Sequence, residues 1–329
     1  DLKQVNSTVS YKVVVVNKGN VAMWINSISQ EINNNDNMEY VINGIGIKEL
    51  IEPATTKEFI VKIKYKDSIT TLPSNTNLDT VLKFDFKKPM SILKNEGAWT
   101  TKVFGGTLTK DKIENITFLP TLDPVENAIG YWDASASKDG TVIASYKDSD
   151  NNGLYELYIG GIGKVYSPAW SAYLFQRYSV LTSINSTNYF DTSNANDMTY
   201  MFNECFKLET LNTSYFDVGK VTTMTGLFSG CKALTSLDVS NWDVSKVTSF
   251  YMLFLSCSKL SNLDVSNWDV SNVKNMREAF NGCSSLPVID VSNWDVSKVE
   301  NMQQVFLNCS SVETLDVSNW NTANSTTMG

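Results

Sequence analysis

The 329-residue chain contains no histidine. The commonest general base and the commonest metal ligand are therefore absent, and catalytic arrangements that run through an imidazole are excluded. Long apolar runs are missing too. The valines from Val13 to Val16 fall far short of the roughly 18–20 residues that a bilayer-spanning helix needs. Charge is sparse, at 19% of residues, and its balance is acidic, with a formal net charge of −8. From Phe190 onward, 10 Asp and 5 Glu face 7 Lys and 1 Arg, a balance of −7, so the first 189 residues carry only −1. That acidity argues against a nucleic-acid partner and against an anionic membrane surface. The chain starts at Asp1 without a leader and stops at Gly329 partway through a repeated unit. It therefore reads as a fragment of a longer, processed protein whose anchor lies elsewhere.

What the chain does have is enough apolar residue, 42%, for a sizeable core, and a repeat. The stretch "SLDVSNWDVSKV" from Ser236 returns as "NLDVSNWDVSNV" from Asn262 and "VIDVSNWDVSKV" from Val288. Cys205, Cys231, Cys257, Cys283 and Cys309 are spaced by 26, as are Phe202, Phe228, Phe254, Phe280 and Phe306. The aromatic column Phe190, Phe216, Trp242, Trp268, Trp294 and Trp320 keeps the same interval. A fixed period over five or more copies predicts a solenoid in which stacked coils bury what one coil cannot. Within a unit, "MTGLF" places apolar residues at i, i+3 and i+4, which predicts a short helix ended by a left-handed residue at Gly230, Gly282 or Asn308. "SLDVS" alternates, which predicts a short strand with Leu237 and Val239 inward.

The odd number and equal spacing of the cysteines argue for free thiols packed as small apolar groups. The tryptophans are expected to fill the outer corner of each coil, with Asn241, Asn267, Asn293 and Asn319 as candidate partners for the indole N–H; a sugar-stacking face is the alternative. Asp238, Asp264, Asp290 and Asp316 lie between inward strand residues and should project outward, one above another at roughly 4.8 Å. Two unit charges at that separation repel by about 0.9 kcal/mol in water and about 3.5 kcal/mol at an effective dielectric of 20. Either each carboxylate is satisfied by Ser or backbone N–H groups in its own turn, or the row holds cations. Equivalent carboxylates in a lattice offer no split between acid and base, so glycosidase chemistry is not expected.

Departures from the consensus are the better places to look for selectivity. The third copy reads "FYMLFLS", with Tyr251, Met252 and Leu255 in columns that are otherwise mostly polar, and Leu307 rejoins the Leu255 column two coils later. These residues are expected to form an apolar contact patch. The outward strip of Ser236, Asp238 and Ser240 with its equivalents is the second candidate face, suited to a basic protein patch or a cation-bridged glycan.

The first half reads differently. "VSYKVVVVNKGNVAMWINSI" predicts strand, tight turn and strand, and "TTKEFIVKIKYKDSI" alternates from Phe59, so residues 1–118 are expected to form an antiparallel β-sandwich. Lys12 is a position where a Lys–Asn isopeptide bond could form. Residues 119–128 carry two prolines and read as a linker, and residues 129–188 as the cap of a solenoid spanning 189–329. The stretch "SAYLFQRYSVLTSI" predicts a short helix at the start of that solenoid. In "DSDNNG", Asp148, Asp150, Asn152 and Glu156 fall at calcium-loop positions, but Ile159 stands where the bidentate acid belongs, so a hairpin turn competes with calcium binding.

The pattern "MF..C..L..LDVSNWDVS.V.NM", preceded by "LYELYIGG" and "SAYLF..Y", resembles the BspA-like leucine-rich repeat proteins of bacterial cell surfaces; "YKVVVVNKGN" resembles immunoglobulin-like surface repeats. The resemblance implies a secreted, wall- or lipid-anchored location and roles in adhesion, host binding or coaggregation. The expected fold is thus mixed α/β, an immunoglobulin-like sandwich followed by a leucine-rich-repeat solenoid with one strand and one helix per coil. The expected function is non-enzymatic binding at the cell surface to a host or neighbouring-cell protein or glycan. A rigid spacer or stalk is the rival reading.

Overall fold

The structure is a computed structural model that describes residues 8–18, 23–33, 38–43, 50–51, 55–71, 79–87, 90–98, 100–186 and 188–327. The chain divides into two compact units, Asp1–Pro89 and Met90–Gly329. Among the described residues the first holds six strands: β1 (Thr8–Val16), β2 (Met23–Asn33), β3 (Met38–Asn43), β4 (Leu50–Ile51), β5 (Thr56–Tyr65) and β6 (Asp79–Lys87). They form two antiparallel sheets, ordered β1-β5-β3 and β4-β2-β6. Ile25, Ile51, Phe59 and Val61 make the shared core, and the Phe59 ring meets Phe84 at 5.2 Å. The valine run obeys the strand period: Val13 and Val15 pack on this core, while Val14 and Val16 are about half exposed. The hairpin expected of the first two strands does not form, because β1 pairs with β5 and β2 with β4 and β6. Placing the two strands in opposite sheets lets both turn an apolar face to one core. Part of the intervening turn, residues 19–22, lies outside the described residues.

The second unit begins earlier than the sequence suggested. It contains β7 (Ser91–Ile92), β8 (Ile113–Leu119), β9 (Gly130–Asp133), β10 (Val142–Lys147), β11 (Tyr155–Gly161), β12 (Val165–Tyr166), β13 (Ser183–Asn185), β14 (Phe190–Asp191), β15 (Thr210–Leu211), β16 (Ser236–Leu237) and β17 (Asn262–Leu263). Residues 90–118, read above as sandwich, supply β7, which pairs with β12, and β8, which lies between β11 and β13. Ile113, Ile116 and Phe118 of β8 are fully buried in the same core as the repeats, which runs without interruption from Leu93 to Val305. The β9–β10–β11 antiparallel strands extend the six-stranded sheet away from the repeats, in the order β15-β13-β8-β11-β10-β9.

Successive coils join edge to edge in parallel. β13 pairs with β15 and β16 with β17 on one line. A second line carries β7, β12 and β14. A third is a row of single bridges, Trp170–Asp197–Thr223 and then Ser249–Asn275–Asn301–Thr327.

The helix expected in each coil is absent, so the mixed α/β fold with a helix per repeat is overturned. Among the described residues there is no α-helix, only a three-residue 3-10 turn at Lys110–Lys112. The backbone explains why. In one column Tyr173, Tyr200, Gly226, Met252, Glu278 and Gln304 all have positive φ; in another so do Arg177, Glu204, Gly230, Ser256, Gly282 and Asn308. A right-handed helix admits no such residue. The segment 224–231 is instead a run of overlapping turns, Leu227 N–H to Met224 O, Ser229 N–H to Gly226 O and Cys231 N–H to Phe228 O, at 3.0–3.1 Å. The intervening amides reach the next coil: Gly226 N–H to Tyr251 O at 2.7 Å, Phe228 N–H to Leu253 O at 2.9 Å, Gly230 N–H to Leu255 O at 2.7 Å. Met224, Leu227 and Phe228 still point inward and are buried. The i, i+3, i+4 pattern is real, but it serves a turn ladder in which every backbone donor has a partner. "SAYLFQRYSVLTSI" behaves alike, with Tyr173 N–H bonded to Thr199 O and Phe175 N–H to Met201 O.

Candidate functional site

The interior of the repeats is continuous stacking. Phe175, Phe202, Phe228, Phe254, Phe280 and Phe306 follow one another at centroid distances of 5.3–5.7 Å. Phe216, Trp242, Trp268 and Trp294 follow at 6.3–6.4 Å with planes within 5° of parallel. The Trp242, Trp268 and Trp294 indoles are buried and offer no sugar-stacking face, whereas Trp320 in the last coil is half-buried. Their N–H groups do not use the asparagine column. Trp268, Trp294 and Trp320 donate to Val239 O, Val265 O and Val291 O, each at 3.1 Å, in the preceding coil. The five cysteines are free, and each thiol donates to a phenylalanine carbonyl one coil back, as Cys257 does to Phe228 O at 3.2 Å. Burial pushes the Cys205 and Cys257 thiols up to about 12 and drives Cys231 and Cys283 strongly upward. They are protonated packing groups, not nucleophiles.

The outward carboxylates are used locally. Oδ1 of Asp238, Asp264 and Asp290 accepts the hydroxyl of Ser240, Ser266 and Ser292 at 2.7–2.8 Å as well as the same serine's backbone N–H. Asp316 accepts the N–H of Ser318 at 3.0 Å. The serine bonds hold the Asp264 carboxyl below its ordinary range. A second outward column, Asp243, Asp269 and Asp295, repeats the motif on Ser245, Ser271 and Ser297. One coil earlier, Asn212 stands in the Asp238 column and accepts from Ser214 in the same way, at 3.1 Å and 2.6 Å. An uncharged acceptor therefore builds the same turn. The strip consists of self-satisfied Asx turns, with Ser236 and the carboxylates exposed and Ser240 half-buried.

The expected apolar patch is not assembled as an exposed surface. Tyr251, Met252 and Leu255 are half-buried; the Arg277 guanidinium of the next coil covers the Tyr251 ring at 5.7 Å. Leu307 is exposed, but Asn281 separates it from Leu255 in that column. The DSDNNG segment is the turn between β10 and β11. Asp148 accepts from the N–H groups of Asn152 and Gly153 at 3.1 Å, Asp150 from Asn152, and Glu156 from the Ser149 hydroxyl at 2.8 Å. Its acids are committed to turn donors, and among the described residues no group of three or more His, Cys, Asp or Glu could hold a metal ion. Lys12 pairs with Glu58 at 2.7 Å on an exposed face, whereas an isopeptide bond needs a buried amine beside Asn.

Two features escaped the sequence reading. Lys110 is almost fully buried, with its ammonium 5.3 Å from the Tyr178 ring centroid. Burial pushes its pKa down to about 8 against the pull of Cys205 and Glu96; Glu96 itself pairs through Oε1 with Lys94 at 3.2 Å. The second is an open depression lined by Phe206, Lys207, Lys232, Ala233 and Lys259. The Lys232 ammonium lies 5.4 Å from the Phe206 ring centroid.

Residues 172–287 and 256–329 match a family model described as Mycoplasma protein of unknown function, DUF285. The repeats are thus similar to that family; the match leaves the first unit uncovered. No curated protein and no solved structure matches the chain. No helix among the described residues is long and apolar enough to cross a membrane.

Proposed function

We propose that the protein is a non-enzymatic, adhesin-like binding protein of the bacterial cell surface, akin to the BspA-like surface repeats, which presents one face of its coils to a macromolecule on a host or neighbouring cell. The observation that carries this reading is the outward strip. The same Asp–Ser pair, its carboxylate exposed, recurs on four successive coils, each geometrically fixed by its own hydrogen bonds. Such a strip gives a partner several identical anionic contacts at a regular spacing, a geometry suited to multivalent recognition of a basic surface. The buried thiols and locally committed carboxylates favour binding over catalysis as the use of this surface.

The test removes charge without removing the turn. Asn212 already fills the role of Asp238 in its own coil, so Asp238→Asn, Asp264→Asn, Asp290→Asn and Asp316→Asn together should leave the fold intact. Attachment of the purified protein to host or neighbouring bacterial cells should then fall sharply. Attachment that survives the quadruple change, with unaltered melting, rules the strip out as the contact face. The uninterrupted core from Leu93 to Val305 also favours a rigid spacer; a spacer would show no saturable binding in the same assay.

A further inference from the structure

In the acidic half of the chain, stacking brings lysines from different coils together. Of its seven lysines, three, Lys207, Lys232 and Lys259, line a single open depression together with Phe206 and Ala233, and none of those five residues is acidic. The stacking of coils brings this about. Phe206 and Lys232 are successive members of the column that follows each cysteine, while Lys207, Ala233 and Lys259 are successive members of the next. The columns then change character. Both carry serine in the following coils, Ser284 and Ser285, then Ser310 and Ser311, and the hydroxyls of Ser284 and Ser285 turn back to Ser258 O. The basic character therefore stops at the third coil and is not a property of the repeat.

The chemistry of the depression is specific in kind. The Phe206 ring is 39% exposed, lies against Gly230, and has the Lys232 ammonium 5.4 Å from its centroid. Two acids flank the segment in sequence: Glu204 is engaged by Arg177 at 2.8 Å, and Glu209, two residues beyond Lys207, is not among the lining residues. Three ammonium groups without a lining carboxylate repel one another, and an anion laid among them relieves that repulsion. All five lining residues lie in turns outside the strands, and the Lys232 N–H bonds Gly230 O. The lining thus offers a peptide no strand edge to pair with, only point charges and an aromatic face. Ammonium groups are tolerant of direction, and an aromatic face accepts the C–H side of a sugar ring.

We propose that this depression binds an anionic polysaccharide, its carboxylate or sulfate groups held by Lys207, Lys232 and Lys259 and one sugar ring set against Phe206. The inference rests on the reading of the protein as a surface binding protein, but it names a different face from the acidic strip, so the two can fail separately.

The experiment uses the full chain and measures its affinity for size-defined heparin fragments, polygalacturonate, neutral dextran and poly-glutamate as salt is varied. Heparin and polygalacturonate should bind and weaken as salt rises, and dextran should not bind. Lys207→Gln, Lys232→Gln and Lys259→Gln together should weaken heparin binding about tenfold or more, and Phe206→Ala should weaken it about threefold or more, with unchanged melting. A control with the same charge change, Lys220→Gln, Lys246→Gln and Lys298→Gln, should stay within about twofold of the parent. Equal loss in both triple variants would reduce the effect to net charge and overturn the proposal. Absence of heparin binding, or poly-glutamate binding more tightly than the glycans, would overturn it as well. If the depression variant loses heparin while the quadruple Asp→Asn variant keeps it, the glycan site stands whatever becomes of the strip.

Discussion

Replacing Gly226 by alanine distinguishes the turn ladder from a helix by the sign of the effect. In a helix, Ala in place of Gly stabilises by about 0.5–1 kcal/mol. Here Gly226 has φ +60°, where an L-residue pays about 1–2 kcal/mol. A Cβ at this position would lie 2.1 Å from Cε1 and 2.2 Å from Cδ1 of Tyr200. The ring would have to swing away, losing its stack on Tyr173 at 5.8 Å, worth about another 1 kcal/mol. The expected destabilisation is about 2–3 kcal/mol, read as a fall in the urea midpoint at constant slope. Combining it with Tyr200→Ala should relieve the steric part and leave the backbone part. The converse change, Gln304→Gly at φ +58°, would cost about 1 kcal/mol in a helix but should be neutral or mildly stabilising in the ladder. A stabilising Gly226→Ala would refute the reasoning.

The buried thiols predict alkaline sensitivity. Their folded pKa values lie above the unfolded value of 9.0, so the unfolded chain releases protons first and stability is lost as pH rises from about 9 toward 12. Four thiols at about 1.4 kcal/mol each per pH unit remove about 5–6 kcal/mol by pH 10. Lys110, depressed to about 8, works the other way and returns about 2 kcal/mol; a urea midpoint at pH 10 that equals the one at pH 7 would contradict this account. Trp268→Ala should destabilise by about 3–5 kcal/mol, through the lost stack on Trp242 and Trp294 and the lost bond to Val239 O; a loss below 1 kcal/mol would place the indole outside the core. EDTA should leave the melting temperature unchanged, since the acids at 148–156 and along the strip are satisfied by their own turns; a drop of several degrees would show a structural metal.

Much of the interior was legible in the sequence, because a fixed period forces identical residues above one another. The Phe column from Phe202 to Phe280 and the Cys column from Cys205 to Cys283 are buried as expected, and so are Leu237 and Val239. Local geometry was less legible. Apolar residues at i, i+3 and i+4 fit a helix and an overlapping-turn segment equally, and only the glycines of the 226 and 230 positions pointed to the latter. Met252, Glu278 and Gln304 obscure that signal in later coils. The indole N–H could not be placed from neighbours in sequence, since its acceptor lies 29 residues back. The first unit's boundary was missed because Ile113, Ile116 and Phe118 read as any buried strand, without naming the core they enter. For the surface, the sequence left the outward aspartates either bonded within their own turns or holding cations, and serine bonds within the turn are what the structure has; Tyr251 and Met252 read as exposed because the covering Arg277 arrives from the next coil. The lysine depression was invisible along the chain, as Lys207, Lys232 and Lys259 lie 25 and 27 residues apart and meet only through stacking.

The coil-to-coil hydrogen bonds can be seen directly by NMR, through scalar couplings across hydrogen bonds in isotopically labelled protein. Couplings from the Gly226 amide to the Tyr251 carbonyl and from the Phe228 amide to the Leu253 carbonyl are predicted. A coupling from the Phe228 amide to the Met224 carbonyl, the signature of a helix, would contradict the stacked-turn architecture and with it the register that defines both proposed faces.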